Sequence, residues 1–394
     1  MLRYLTAGES HGRALVAILE GIPAGVPVSS EDFVGPMALR QVGYGRGPRR
    51  NLECENVEVL SGIWKGLTIG SPISLLIWNS DQRFFAQESS GVGETEIAEA
   101  PLTVPIPGHA DLAGALKYGF DDVRPVRERA SARETAVRTA ISVPALRLLE
   151  ELGVSSVGFV SAIGNVPAKI PEFATVSGLR KAVRANERWF LTPDRKIVDR
   201  WKRLIDSARE SVDSLGGIAE IRFDGLPAGL GSHVDASRRL DSRLAGVLMG
   251  FPAVHAVELG QGIRQSAING KSAQDPIKFS PKTGWGRESN LSGGIEGGIT
   301  NGEQLIVRCF MKPPPGACRV ESADLRTGRR ELPAFYRSDT AAPDSLAVVA
   351  QSAIAIELAD CFMEKFGGDT LDDLRDSLNA YKSRISRLVT ARHA

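Results

Sequence analysis

The order of the predicted strands and helices is the feature that most limits how this chain can fold. Apolar or alternating runs predict strands near residues 14–19, 52–61, 71–78, 154–165, 216–225 and 304–311. Helical spacing predicts one helix that begins near residue 29 and another that ends near Tyr118. It also predicts helices over 124–152, 177–213, 236–249 and 345–366, the last of which is ended by two glycines. These elements mix without the regular alternation of a doubly wound sheet. We therefore predict an α+β fold, and the length allows one large domain or two or three smaller ones.

Composition excludes several classes of function. The net charge is +1, from 48 basic and 47 acidic residues, so no whole-molecule field should attract nucleic acid or membrane, and anion binding must come from local clusters. Cys54, Cys309, Cys318 and Cys361 show neither a CxxC pair nor the spacing of a zinc site. No secretory leader and no run of 18 apolar residues occurs. A cytoplasmic protein without a metal is expected.

Several common motifs fail on their spacing. Gly43-Tyr-Gly45-Arg-Gly47 is not the GxGxxG of a dinucleotide site, and Gly270-Lys-Ser272 lacks the first glycine of a P-loop. Neither HExxH nor GxSxG is present.

What remains is a set of turn histidines and clustered arginines. His11 lies in Gly8-Glu-Ser-His-Gly12, and His109 follows Pro107-Gly108. The arginines form three groups: Arg40, Arg46 and Arg49 in a loop predicted to be flexible, Arg129 and Arg133 on one face of a predicted helix, and Arg337. Guanidinium groups bind carboxylate and phosphate, and a histidine beside such an anion can protonate it.

Simpler interpretations of the same residues stay open. Each histidine could be a hydrogen-bonded turn residue, and the 124–138 segment could be a solvated basic face neutralised by Glu128 and Glu134. Nucleic-acid contact is disfavoured because aromatic residues are not interleaved with the arginines. The residues alone therefore predict an enzyme or binding protein for a small, multiply anionic ligand.

Eight segments, in order along nearly the whole chain, resemble the chorismate synthase family. They are Gly8–Gly12, Arg40–Gly47, Pro107–Tyr118, Arg129–Ala136, Asp213–Gly217, Gly293–Gly298, Met311–Pro313 and Arg337–Thr340. The resemblance implies one α+β domain over residues 1–394, with mixed helices and antiparallel sheets, that assembles as a homotetramer. It also implies an anti 1,4-elimination of phosphate from 5-enolpyruvylshikimate 3-phosphate, giving chorismate with reduced FMN and no net redox change. NADPH as an indirect reductant and an external flavin reductase are the implied sources of reduced flavin.

The resemblance also assigns roles to individual residues. His11 is implied to protonate the departing phosphate, His109 to act beside the flavin, and Asp339 to tune the flavin and the proton relay. The implied substrate clamp is Arg40, Arg46, Arg49, Arg133 and Arg337. The implied FMN contacts are Arg129, Ala130, Ser131, Pro252, Ala253, Gly297, Lys312, Pro313, Pro314, Pro315, Gly316 and Arg337.

Four departures from the family pattern bear on that expectation. Ile106 stands where the family usually has arginine, and Pro314-Pro-Gly-Ala317 replaces a turn that contains Ser or Thr. Asn79-Ser-Asp-Gln-Arg-Phe84 and Ala341-Ala-Pro-Asp344 are also altered. Two alternatives therefore remain: a divergent paralogue acting on a related cyclohexene phosphate, and a non-catalytic relative that binds flavin or anions.

Overall fold

A computed structural model of the chain describes residues 2–47, 55–80, 100–172, 174–280, 284–334 and 338–390. The strands are β1 (Arg3–Ala7), β2 (Ala14–Glu20), β3 (Val57–Ser61), β4 (Ile63–Trp64), β5 (Leu67–Thr68), β6 (Ile73–Trp78), β7 (Ser155–Ile163), β8 (Val166–Pro167), β9 (Gly217–Asp224), β10 (Val254–Leu259), β11 (Ile277–Ser280), β12 (Gly284–Arg287), β13 (Ile295–Glu296), β14 (Ile299–Thr300), β15 (Leu305–Met311), β16 (Ser322–Ala323) and β17 (Arg330–Glu331). The helices are α1 (Glu31–Arg40), α2 (Asp111–Tyr118), α3 (Arg124–Arg129), α4 (Thr135–Ile141), α5 (Val143–Glu151), α6 (Val176–Arg184), α7 (Val198–Glu210), α8 (Leu240–Met249), α9 (Gly262–Ser266), α10 (Pro343–Phe366) and α11 (Leu371–Thr390).

Two antiparallel sheets enclose a layer of helices. The first sheet has the strand order β1-β2-β6-β3, and the second has the order β10-β15-β9-β7-β8. Helix α4 packs on β2 and β6 of the first sheet, whereas α10 packs on β7 and β9 of the second and also contacts α4. The predicted α+β class is confirmed.

The sequence alternation explains how each sheet buries one face. In β2, Leu15, Ala17 and Leu19 point inward and are almost completely buried, and β6 repeats the pattern. Helix α10 is apolar on nearly all sides and is long enough to cross a membrane, but 83% of its most apolar window is buried inside the protein. It is therefore a core helix between the two sheets.

The predicted helix over 124–152 is wrong, because the structure divides it into three. Helix α3 ends at Arg129, and Ser131 adopts an extended conformation (φ −65°, ψ 142°). Its hydroxyl accepts a hydrogen bond from Arg133 N at 3.3 Å and opens a short 3-10 turn before α4. Arg129 and Arg133 consequently do not share a helical face, whereas Glu134 and Arg138, four residues apart, form an ion pair at 2.7 Å.

The predicted flexible loop is also wrong at Arg40, which is the last residue of α1. The turn at residues 43–47 is docked on the chain just before α10, because Thr340 N donates to Gly45 O at 2.8 Å. A Cβ on Gly45 would lie only 2.7 Å from Ala341 O, so this close approach requires glycine. Arg49 lies outside the described residues.

Candidate active site

His11 is held by a carboxylate from α3. Its Nδ1 lies 2.9 Å from Glu128 Oε1, and its backbone N donates to Glu128 Oε2 at 2.8 Å. The preceding residue, Ser10, donates its backbone N to Glu128 O at 3.1 Å. Because an ionised carboxylate only accepts hydrogen bonds, Nδ1 carries the proton, and Nε2 is the ring atom that can exchange a proton with a ligand.

His109 is held in the same way by a buried aspartate. Its Nδ1 lies 2.5 Å from Asp111 Oδ1, and Asp111 has no exposed surface. The second oxygen, Oδ2, accepts hydrogen bonds from Arg127 Nε at 2.9 Å, Arg127 Nη2 at 2.7 Å and Ile106 N at 3.1 Å. Burial alone raises the pKa of Asp111, but hydrogen bonds from His109 and Arg127 outweigh it and hold that pKa below its ordinary value. Asp111 is therefore an ionised anchor for the imidazole.

Neighbouring residues of α3 thus connect the two histidines. Glu128 orients His11 directly, and Arg127 orients His109 through Asp111. Successive side chains on a helix point about 100° apart, so one short helix reaches two different loops. From the sequence, Glu128 is expected only to neutralise charge, and Arg127 and Asp111 have no predicted role. The run of charges in Arg127-Glu-Arg129 was the available signal.

A second cluster joins two of the predicted clamp arginines. Arg40 Nη1 donates to Glu55 Oε1 at 2.5 Å, and Arg133 Nη1 donates to the same oxygen. Arg40 also contacts Thr135 Oγ1 at 3.0 Å, while Arg133 Nε donates to Asn79 Oδ1 at 3.1 Å. All three charged side chains are at most 6% exposed. Two guanidinium groups therefore lie side by side on one carboxylate, which leaves a local excess of positive charge.

Arg46, from the same predicted group as Arg40, pairs with a predicted catalytic residue. Arg46 Nη1 lies 2.6 Å from Asp339 Oδ2, and Gly47 N donates to Asp339 Oδ1 at 2.7 Å. This places Arg46 and Asp339 together at the start of the segment that leads into α10. Arg337, two residues before Asp339, lies outside the described residues.

Most residues predicted to hold the cofactor border these clusters. Arg129 donates to Gly8 O at 2.9 Å and to Thr6 O at 3.1 Å, and Ser131 Oγ lies 3.2 Å from Ser10 Oγ, beside His11. Ala130 connects the two.

The segment Lys312–Gly316 runs from the His109 loop towards Asp339. Lys312 Nζ donates to Gly108 O at 2.6 Å, and Lys312 N donates to Ala253 O at 2.9 Å, next to Pro252. Gly316 packs against Ser338, where an added Cβ would lie 3.1 Å from Ser338 Cβ. Pro313, Pro314 and Pro315 lie between.

Gly297 is the exception among the predicted cofactor residues. It lies exposed in the turn between β13 and β14, whose next residue, Gly298, accepts hydrogen bonds from Ser232 and Leu240. No contact in the described ranges joins this turn to the histidines or to Lys312.

Within the described residues, the structure brings together oriented imidazoles and several arginines, and no cluster there could hold a metal ion. Side chains of these types in this arrangement can transfer protons and bind anions.

Comparison with known proteins identifies the family. The family profile of chorismate synthase matches residues 2–363. Chorismate synthase from Desulforamulus reducens is 44% identical over 98% of this chain and 100% of its own length, and that from Desulforudis audaxviator is 47% identical over 98% of both chains. A crystal structure of chorismate synthase superposes with a TM-score of 0.79, 34% identity and 98% coverage of both chains.

The chain belongs to the chorismate synthase family. It is a carbon–oxygen lyase that eliminates phosphate from 5-enolpyruvylshikimate 3-phosphate to give chorismate, a step of aromatic amino acid biosynthesis. The comparisons do not favour the alternatives of a divergent paralogue or a non-catalytic relative.

Proposed function

We propose that His11 and His109 are the proton-transfer groups of this elimination. The observation that carries the proposal is the matching arrangement of the two imidazoles, each bound at Nδ1 by a carboxylate and both fixed by α3. His11 Nε2 delivers a proton to the leaving phosphate. His109 exchanges a proton with the flavin, on the side of the site formed by the Lys312 segment. General acid–base groups of this kind contribute about 10²–10⁴ to a rate.

Arginines supply the anion clamp in this proposal. Arg40 and Arg133 present the paired guanidinium groups, and Arg46 with Asp339 adds a third charged group. Arg49 and Arg337 complete the proposed set from outside the described residues. Guanidinium forks suit both the phosphate and the two carboxylates of the substrate.

Reduced FMN fits the donors that border the histidines. Arg129, whose side chain is 43% exposed, Ser131 and Lys312 offer a guanidinium, a hydroxyl and an ammonium group for a phosphate monoester. Pro313, Pro314 and Pro315 lack backbone N–H donors, so the phosphate contact is made by Arg129, Ser131 and Lys312. When bound, reduced flavin supplies electron density that favours phosphate departure and an N5 region basic enough for the ring proton. NADPH enters only as the electron source for an external flavin reductase.

We also propose that the protein is a cytoplasmic homotetramer of single-domain chains. The outward face of the first sheet supports the assembly, because its cross-strand partners Leu5 and Ile18 are 71% and 44% exposed. Trp78 on β6 extends this apolar face and is 50% exposed. Exposed apolar faces of this kind mark subunit interfaces. Light scattering should give a tetramer mass, and Ile18→Asp should reduce it.

The catalytic proposal is tested by an anaerobic assay with reduced FMN and 5-enolpyruvylshikimate 3-phosphate. His11→Asn and His109→Asn should each lower kcat by at least 100-fold, whereas His233→Asn, in an exposed loop, should leave it unchanged. Loss of less than tenfold in either variant would show that the imidazole is only a structural turn residue.

A further inference from the structure

Asp344 is a buried acid that the proposed mechanism does not use. It lies in the first turn of α10 and is 1% exposed. Its Oδ1 accepts a hydrogen bond from Leu191 N at 2.6 Å. The next residue, Ser345, donates its hydroxyl to the backbone oxygen of Arg40 at 2.5 Å, so this turn of α10 lies directly behind the arginine clusters.

The second oxygen of Asp344 faces the turn that carries Arg46. A Cβ placed on Gly43 would lie 3.0 Å from Asp344 Oδ2 and 3.2 Å from Arg46 Cγ. Gly43 has a φ of +129°, so the backbone there also favours glycine. The absence of a side chain at this position lets the carboxyl group and the Arg46 side chain approach the same small space.

Arg46 therefore lies between two acids. Its Nη1 binds Asp339, while its buried Nε makes no hydrogen bond within the described part of the chain. Among the described residues, Arg46 is the charged side chain that acts on Asp344, and the other polar partners there are the backbone N–H groups of Leu191 and of Asp344 itself. With both acids ionised, this group of three would carry one excess negative charge in a buried place.

We propose that Asp344 is a positioning residue for Arg46, and that it takes up a proton when an anionic group of the substrate binds at the Arg46–Asp339 pair. The inference rests on the proposed role of Arg46 in the substrate clamp. Without substrate, an ionised Asp344 shares the charge of Arg46 with Asp339. A carboxylate or phosphate of the substrate that binds to Arg46 adds a negative charge close to Asp344. Protonation of Asp344 removes the repulsion between its carboxylate and the bound anion.

The pKa of Asp344 lies in the range where binding of an anion can change its protonation state. Burial raises the pKa of Asp344 to about 7, against the lowering effects of the Leu191 N–H group and Arg46. A bound anion raises this pKa further, because it adds a like charge and engages Arg46. Substrate affinity should therefore be highest below pH 7 and should fall as the pH rises through 7, by up to tenfold per pH unit, until the pKa of the bound form is passed.

The test compares wild type with Asp344→Asn, which keeps an oxygen acceptor for Leu191 N but cannot titrate. FMN-reconstituted enzyme is titrated with 5-enolpyruvylshikimate 3-phosphate by calorimetry between pH 6 and 8.5, in buffers of different ionisation enthalpy. The phosphate of the substrate contributes equally in both proteins, so the difference between them reports residue 344. Wild type should take up more protons at pH 7, and its Kd should rise at least threefold more from pH 6.5 to 8.5.

Two further variants make the result decisive. Asp206→Asn removes a carboxylate that contacts Tyr44 of the same turn at 3.0 Å from the solvent side, and it should keep the wild-type pH dependence. Asp344→Ser, which also cannot titrate, should match Asp344→Asn and serves if the latter does not fold. Equal proton uptake and equal pH dependence in wild type and both residue-344 variants would overturn the inference alone. Failure of wild type to bind the substrate at any pH would overturn it together with the proposed substrate clamp.

Discussion

Arg127→Met is the substitution that most directly tests how the site is held together. Arg127 gives Asp111 two hydrogen bonds, at 2.9 and 2.7 Å, and gives Val104 O a third at 3.3 Å. Methionine keeps most of the side-chain volume but leaves the fully buried Asp111 carboxylate without its cation. Removing one partner of a buried ion pair costs about 3–5 kcal/mol, and since His109 and Ile106 N still contact Asp111, we expect about 3 kcal/mol.

Arg124→Met is the matched control, because Arg124 lies one turn earlier on the same helix with a similarly buried side chain. Arg124 Nη2 donates to Ala100 O at 2.8 Å and lies 3.7 Å from the partly exposed Asp122. That environment predicts a loss of only about 1 kcal/mol. Urea unfolding should therefore separate the two variants by about 2 kcal/mol, and kcat should fall at least tenfold in Arg127→Met alone because His109 loses its orientation.

Ile106→Arg provides the rescue experiment. Residue 106 already contacts Asp111 Oδ2 through its backbone N at 3.1 Å. In the Arg127→Met background, Ile106→Arg should restore more than half of the lost stability and kcat, whereas in wild type the added charge is redundant. Equal destabilisation by Arg127→Met and Arg124→Met, or a double variant no better than the single one, would refute the reasoning.

Three other predictions concern the arginine clusters. Asp344→Asn should remove a pH dependence of folding. Because burial raises the pKa of Asp344 from 3.8 to about 7, the contribution of its protonated form to the free energy of unfolding is fully present below pH 4 and is lost by pH 7. Urea unfolding at pH 5.5 and 8.5 should therefore show a wild-type loss about 2 kcal/mol larger than that of Asp344→Asn. Glu55→Gln should cost about 3 kcal/mol, because it leaves two buried guanidinium groups facing each other, and an unchanged urea midpoint would contradict this. Gly45→Ala should cost about 1–3 kcal/mol and raise the KM, since its Cβ would clash with Ala341, whereas Gly35→Ala in α1, with open space around it, should leave the KM unchanged.

Much of the fold could be predicted because it follows from local patterns. The alternation in β2 and β6 fixes which residues face the core, and the apolar run ended by Gly367 identifies α10. Helix α11 was not predicted, because its surface is mostly polar and its burial depends on only a few residues, among them Leu374 and Leu378. The break after Arg129 was also missed, because the hydroxyl of Ser131 overrides the helical preference of the surrounding alanines.

The same limit applies to the site. His11, His109 and most of the arginines could be proposed from their turns and residue types. Their acidic partners could not, because Glu128 lies 117 residues from His11 and Glu55 lies 78 residues from Arg133. Only the fold brings such pairs together, and a neutral whole-chain charge gives no indication of which acids face which bases.

Helix α3 shows why the catalytic geometry and the fold depend on each other. Six residues are too few for a helix to be stable by itself, so α3 must be held by contacts that its side chains make elsewhere. Those contacts include Glu128 with the His11 loop, Arg127 with Asp111, and Arg129 with the backbone of β1 and the turn after it. Two of the interactions that stabilise the helix, those of Glu128 and Arg127, are thus also the ones that orient the two imidazoles. A substitution that loosens one histidine should therefore also weaken the hold on the other, and the effects of His109-side and His11-side substitutions on stability should not be additive.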